Sequence, residues 1–137
     1  MQRLPWMPGP AANDGPVFVS ATRFTYRRLR HMPFVFWHGL ALRSGWDRVE
    51  GAIGIFSGAS LLERTTYTVT AWRSEEDLQR WLGSKYHRRL MSDYRETLES
   101  SGAVGWLAQT FEPRAAWREA LARLAPQLTS RGAACSR

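Results

Sequence analysis

The stretch of sequence that decides the fold is RTTYTVTAWRSEEDLQRWL, residues 64–82. In its first half, two sets of side chains alternate from one residue to the next. This two-residue period is typical of a half-buried strand. Ser74 then begins a helix, because Ser74 and Asp77 form a start that resembles a capping box and the acidic residues 75–77 suit the positive end of the helix dipole. The segment therefore predicts a strand followed by a helix. The two strand faces are Thr66, Thr68, Thr70 and Trp72 on one side, and Tyr67, Val69 and Ala71 on the other.

Patterns on both sides of this segment predict the remaining elements. They are a strand over 17–26, a helix from Pro33 to about Gly45, a glycine-punctuated strand over 52–62, a helical segment over 85–100, a strand over 103–111 and an amphipathic helix over 115–128. The order β, α, β, β, α, β predicts an α+β, ferredoxin-like domain with an antiparallel sheet and an extra C-terminal helix. One sheet face would still need covering, so we expect two sheets to pair in a dimeric α/β barrel.

The chain divides into three regions on this interpretation. Residues 1–16 hold four of the seven prolines and are expected to form an irregular N-terminal arm. Residues 17–112 form the ferredoxin-like domain. Residues 113–137 form the C-terminal helix and, from Thr129, a loose tail.

Composition narrows the classes of function. The 137 residues carry a net charge of +7, but the arginines are scattered, so no specific nucleic-acid surface is predicted. The single cysteine, Cys135, excludes an internal disulfide and a cysteine metal site. The longest apolar stretch, 33–42, is too short to span a membrane, and no signal peptide is evident, so a cytoplasmic location is expected. Phosphate-loop, HExxH and GxSxG motifs are absent from the sequence.

Two segments resemble a known family. Residues 67–81 (YTVTAWRSEEDLQRW) and 84–91 (SKYHRRLM) resemble the antibiotic biosynthesis monooxygenase superfamily, and residues 19–42 resemble the start of spheroidene monooxygenase-like proteins. The resemblance covers roughly residues 17–112 and implies a dimeric α/β barrel. Some members of that superfamily oxidise polycyclic phenols with O2 and no cofactor, some bind or degrade haem, and many have no known reaction.

The resemblance and the helical spacing together suggest a site. Trp81 stands where the haem-degrading subgroup has its tryptophan, but His87 lies closer to Trp81 than is usual, and Ser20 and Thr22 stand where that subgroup has an asparagine. A neutral imidazole is a plausible acid, base or metal ligand near pH 7. The candidate catalytic residues are His87, Tyr67 and Tyr94, and the candidate substrate-binding residues are Trp37, His38, Trp72, Trp81 and Met91.

Three functions stay open at this point. The first is an oxygenase acting on an aromatic or polyketide-like small molecule, in which the substrate supplies the electrons and no cofactor is needed. The second is a haem-binding protein of the same fold, with His87 or His38 as ligand. The third is a ligand-binding module without catalysis. A hydrophobic or aromatic small molecule and a second copy of the chain are the expected partners.

Overall fold

The computed structural model describes the backbone of residues 1–135 and the side chains of residues 1–125. In this part of the chain, five strands form one antiparallel sheet in the order β1-β3-β4-β2-β5. The strands are β1 (Gln2–Pro8), β2 (Val17–Tyr26), β3 (Ala52–Ser60), β4 (Thr65–Trp72) and β5 (Leu98–Ala108). The helices are α1 (Met32–Ser44), α2 (Glu75–Leu82), α3 (Lys85–Tyr94) and α4 (Pro113–Cys135). The predicted ferredoxin-like βαββαβ unit, its antiparallel sheet and the extra C-terminal helix are confirmed.

The start of α2 forms as its sequence predicts. The Ser74 Oγ accepts a hydrogen bond from the Asp77 N–H at 3.2 Å and donates one to Asp77 Oδ2 at 3.0 Å. Asp77 is buried and also bonds Arg73 and Arg80. The hydrogen bond from Arg73 is the main reason why the pKa of Asp77 lies below its usual value. This network fixes the angle at which α2 leaves β4, and therefore where α2 and α3 lie over the sheet.

The structure corrects the expectation of an irregular N-terminal arm. Residues 2–8, expected to be irregular, form the edge strand β1, which pairs antiparallel with β3. Prolines are tolerated there because an edge strand has one unpaired side, and the pairing shifts register between Leu4 and Met7, around Pro5. Trp6 packs so closely on β3 that a Cβ at Gly54 would collide with its indole. The pairing is between residues far apart in sequence, which local patterns do not show.

Two element boundaries also differ from the predictions. The helical segment expected over 85–100 ends at Tyr94, and β5 begins at Leu98, because β2 is long enough to pair with residues 98–108 throughout its length. Helix α4 continues past the expected end at Leu128 to Cys135. Of the tail predicted from Thr129, residues 136 and 137 lie outside the described residues.

Helix α4 covers the sheet face that the sequence analysis left open. Trp117, Ala120 and Leu124 are buried against the inward-facing residues of β2, β3, β4 and β5. Helices α1, α2 and α3 cover the opposite face, so the sheet lies between helices within one chain. An uncovered sheet face is therefore not a reason for this chain to dimerise. The sheet residues that form one buried cluster with these α4 side chains are Val17, Val19, Ala21, Ile53, Phe56, Val69, Ala71 and Trp106.

No helix in the described part of the chain is both long enough and apolar enough to cross a membrane.

Removing the main anchor of α4 should destabilise the fold. Trp117 is 5% exposed and its ring lies 5.8 Å from that of Phe56. We expect Trp117→Ala to lower the free energy of unfolding by about 3–5 kcal/mol, measured by chemical denaturation. Leu62→Ala, at a side chain that is 98% exposed, is the control and should change it by less than about 0.5 kcal/mol. Equal effects of the two substitutions would contradict this role of α4.

Candidate functional site

A cavity of about 390 Å³ lies between the sheet and helices α1, α2 and α3. Its size falls in the range of small-molecule sites. The face of the sheet that forms its floor is the one opposite α4. The cavity is thus formed within a single chain.

Hydroxyl groups line the floor of the cavity. Thr66, Thr68 and Thr70 of β4 alternate toward it, and in the pairing with β2 the last two lie opposite Thr22 and Ser20. Some of these hydroxyls already have partners: Thr70 Oγ1 accepts a hydrogen bond from the Trp72 indole N–H at 2.8 Å. The remaining hydrogen-bonding capacity can serve a polar group on a ligand.

The walls of the cavity are largely apolar. No Asp, Glu or Lys belongs to the lining in the described residues. Arg3 borders the cavity from β1, but its guanidinium lies over the rings of Phe56 and Trp117 on the α4 side of the sheet. The site therefore suits an uncharged, mostly apolar molecule. The wall residues include Val35, Phe36, Leu40, Leu42, Leu78, Trp81, Leu82, Leu90 and Met91.

His87 supplies a basic nitrogen to this cavity. Its backbone N–H is held by the Ser84 cap of α3 at 3.2 Å, and its Nδ1 lies 3.2 Å from the Leu82 carbonyl at the end of α2. A carbonyl can only accept, so Nδ1 carries the proton and Nε2 is left as an acceptor in the neutral ring. Burial lowers the pKa of His87, although the bond to Leu82 opposes this. His87 is therefore neutral at pH 7, as a general base must be before it acts.

A second group of rings lies at α1 and α3. The Tyr94 ring is 5.9 Å from His38 and 6.2 Å from Tyr26, and all three residues line the cavity. Burial raises the pKa of Tyr26 to about 12 and raises that of Tyr94 as well. Both phenols therefore stay protonated at neutral pH. The Tyr26 hydroxyl shares a hydrogen bond with Thr66 at 3.2 Å.

The cavity lining includes six of the eight residues singled out from the sequence. They are His87, Tyr94, His38, Trp81, Met91 and Tyr67.

Tyr67 lines the cavity only at its border, and the other two residues, Trp37 and Trp72, lie outside the lining. Tyr67 borders the cavity, but its side chain packs against the core on the α4 face, as strand alternation requires. Trp37 is 73% exposed and does not belong to the lining, because α1 turns its other side to the sheet. Trp72 is fully buried in the core and touches the site through its bond to Thr70.

Sequence reasoning missed two parts of the site. The first is the hydroxyl floor, although the alternation in residues 64–72 already placed its threonines on one face. The second is Trp46, a fully buried lining residue in the short 3-10 helix after α1 (Trp46–Arg48). A tryptophan just past the end of a helix carries no pattern that separates a cavity residue from a core residue.

The solved structures that are similar to this one include the following three. A single-site mutant of SnoaB, a cofactor-independent oxygenase from Streptomyces nogalater, aligns with a TM-score of 0.55 and 15% identity over 71% of this chain and 97% of that chain. A candidate antibiotic biosynthesis monooxygenase from Nitrosomonas europaea aligns at 0.58 and 10% identity, over 75% and 98%. A candidate monooxygenase from Lactobacillus acidophilus NCFM aligns at 0.57 and 10% identity over 76% of this chain.

This chain shares its fold with these three proteins. The resemblance to the antibiotic biosynthesis monooxygenase superfamily is thus supported at the level of fold, while activity depends on the site itself. The chain spans about half, 51%, of the length of the Lactobacillus protein. No protein-family model matches the sequence, and no curated protein matches it in sequence.

We expect His87 to titrate below its ordinary pKa of about 6.5. Because the unfolded chain then binds the proton more readily, His87 should reduce stability as the pH falls below about 6.5. Nitrogen-15 NMR of the imidazoles should show the Nδ1–H tautomer at pH 7 and a midpoint below about 6.5. The opposite tautomer, or a midpoint at or above the ordinary value, would contradict the assignment.

Proposed function

We propose that the protein is an oxygenase that uses O2 to oxidise a phenolic aromatic or polyketide-like small molecule bound in the cavity. The observation that carries the proposal is the acceptor Nε2 of His87 in an apolar cavity of about 390 Å³ whose described lining contains no carboxylate. Similarity in fold to SnoaB, itself a cofactor-independent oxygenase, adds support.

The cavity matches such a substrate in shape and polarity. Leucine side chains and the Trp81 indole offer apolar and aromatic contact to a flat ring system. The threonine floor offers hydrogen bonds to phenol or carbonyl groups along one edge. A charged substrate would find no opposite charge in the described lining, so neutral polyphenols are favoured over acids.

The chemistry needs a base, and the substrate itself supplies the electrons. His87 Nε2 accepts the hydroxyl proton of the phenol form of the substrate, which leaves a phenolate that is electron-rich at the ring CH carbon para to its oxygen. That carbon gives an electron pair to O2 to form a C–O bond, the phenolate oxygen becomes a ring carbonyl, and the His87 imidazolium returns its proton to the outer oxygen to give a hydroperoxide. The remaining C–H bond and the O–O bond then break with loss of water, and a second carbonyl remains at that carbon. The substrate loses four electrons, one oxygen atom enters the product and the other leaves as water.

Two further groups support this step. Tyr94 keeps its proton at neutral pH, because burial raises its pKa, so it can donate a hydrogen bond to a substrate oxygen. His38 lies beside Tyr94, with ring centroids 5.9 Å apart, and borders the same space. The catalytic roles of His87 and Tyr94 and the binding roles of His38, Trp81 and Met91 are parts of the proposal.

Haem fits this cavity only in part. His87 Nε2 could serve as an axial ligand, and the apolar walls suit a macrocycle. The propionates lack a cationic partner among the described lining residues, since the Arg3 guanidinium lies on the other side of the sheet. We therefore propose a reaction without haem, and no step here depends on one.

Dithranol (1,8-dihydroxyanthrone) and O2 test the reaction directly. We expect the protein to convert dithranol to the anthraquinone without added metal, with one O2 consumed per product after subtraction of autoxidation. His87→Gln should lower kcat by about 100-fold or more, the range of a general base. His31→Gln, the same change at a histidine outside the lining, is the control and should keep kcat within about threefold of the wild-type value.

The other outcomes separate the alternatives. Saturable binding of dithranol without turnover would overturn the oxygenase and leave a ligand-binding module. A Soret band on titration with haem that shifts in His87→Gln would make this a haem protein. A rate unchanged in His87→Gln would remove this residue from the chemistry.

We further propose a homodimer that uses α1 rather than the sheet. Helix α4 covers the sheet face, whereas α1 exposes Trp37 and Leu40 next to the cavity, and Leu29 is exposed just before the helix. Light scattering should give a mass near twice 15.7 kDa. Trp37→Glu should give the monomer mass, and Leu62→Glu, at an exposed leucine distant in sequence, should not. A monomeric wild-type protein would refute the proposal.

A further inference from the structure

The turn between β3 and β4 carries two leucines where turns are usually polar. This turn, residues 61–64, is called the leucine tip below, and its Arg64 N–H donates a hydrogen bond to the Leu61 carbonyl at 3.2 Å. Tight turns favour Gly, Asn, Asp and Pro, whereas Leu61 and Leu62 begin this one. Leu61 is 50% exposed and Leu62 is 98% exposed. The fold therefore gains almost nothing from the Leu62 side chain.

Three arginines lie at the same end of the sheet as the leucine tip. The Tyr26 N–H donates a hydrogen bond to the Arg64 carbonyl in the tip at 2.8 Å, and the chain continues from Tyr26 into Arg27, Arg28 and Arg30. All three of these side chains are exposed, and none forms an ion pair with a described residue. This end of the molecule thus presents positive charge beside exposed leucines.

The acidic residues at this end do not cancel that charge. Segments 27–30, 61–64 and 95–99 together hold five arginines and three glutamates. One of the glutamates, Glu99, already pairs with Arg64 at 3.4 Å. The excess of arginine agrees in sign with the net charge of +7 on the whole chain.

A lipid surface matches these features better than a protein partner does. Leu62 protrudes so far that a protein would need a recess shaped to receive it, whereas the headgroup layer of a bilayer accepts a protruding apolar side chain of any shape. Guanidinium groups pair well with phosphate and carboxylate oxygens, which anionic lipids supply. Apolar side chains next to basic ones are the combination that gives reversible binding to anionic membranes.

The cavity reaches the same end of the sheet. Ala59 and Thr66 line the cavity and pair with each other, one position from the Ser60–Thr65 pair that precedes the tip. Gln2, which pairs with Ala59 on β1, also belongs to the lining. A cavity suited to uncharged apolar molecules therefore lies close to the leucine tip, and such molecules concentrate in lipid.

We propose that the leucine tip and residues Arg27, Arg28 and Arg30 dock the protein reversibly on an anionic lipid surface. Leu62 enters the headgroup layer, and the arginines bind the phosphate and carboxylate groups of the lipids. The inference goes beyond the proposed function and does not depend on oxygenase activity. It places the cavity beside the phase in which apolar ligands dissolve.

Flotation with phosphatidylcholine vesicles, with and without phosphatidylserine, tests the proposal on the full chain. We expect the protein to bind the vesicles that contain phosphatidylserine, and high salt to weaken that binding by screening. Leu62→Ser should lower the partition coefficient about tenfold, because burial of a leucine side chain is worth that much or more. The double substitution of Arg27→Gln and Arg28→Gln should lower it about 25-fold, at roughly fivefold for each basic residue near an anionic surface.

Matched controls make the same changes elsewhere on the surface. Leu107→Ser alters a leucine that is 62% exposed and pairs with Phe18 at the other end of β2. Arg114→Gln combined with Arg118→Gln removes the same charge from α4. Both controls should keep the partition coefficient within about threefold, because charges more than a Debye length from the lipid surface are screened.

The outcomes that overturn the proposal are distinct. Failure of the wild-type protein to bind phosphatidylserine vesicles would exclude a lipid partner and leave a protein as the alternative for the tip. Unchanged binding by Leu62→Ser, or an equal loss in Leu107→Ser, would remove the leucine tip from the interaction. Vesicle binding without dithranol oxidation would leave this proposal standing and remove the oxygenase. Dithranol oxidation without vesicle binding would have the opposite meaning.

Discussion

The alternation of side chains along β2 and β4 is the constraint on which the rest of the structure depends. These two strands are neighbours in the sheet, and each sends small aliphatic residues to one face and hydroxyl residues to the other. The aliphatic face is buried under α4, where Val19 and Val69 contact Trp117 and its neighbours. The hydroxyl face cannot pack tightly against apolar helices without losing hydrogen bonds. A cavity with a polar floor and apolar walls follows from this difference.

The sequence predicts the parts of the molecule that rest on local patterns. The β4–α2 segment, the Ser74 cap and the place of His87 on the inner stripe of its helix all depend on residues within a few positions of one another. Strand β1 does not, since its pairing with β3 joins residues far apart in the chain, such as Gln2 and Ala59, and its prolines suggest a loop. Trp37 shows a second limit of prediction from the sequence. Helix α1 carries apolar residues on most sides, so composition alone does not show which side faces the sheet.

Three of the ionisable groups that line the cavity share one electrostatic property. Burial shifts the pKa of His87 down and those of Tyr26 and Tyr94 up, so each is held in its neutral form at pH 7. With no carboxylate or lysine in the described lining, the interior of the site carries little charge. A proton passed from a phenol to His87 would create an ion pair in a medium that screens it weakly, so the phenolate and the imidazolium would stabilise each other. The same environment disfavours charged ligands before any reaction begins.

Helix α4 changes what the fold requires of a second subunit. In an isolated ferredoxin-like sheet, one face is apolar and must be covered from outside the βαββαβ unit. Here residues 113–125 supply that cover through Trp117, Ala120 and Leu124. The cavity on the other face is built from β1–β4 and α1–α3 of the same chain. The cavity and the His87 side chain that we propose as its base therefore lie within one chain, and the dimer that we propose would use the exposed apolar residues of α1 rather than complete the sheet.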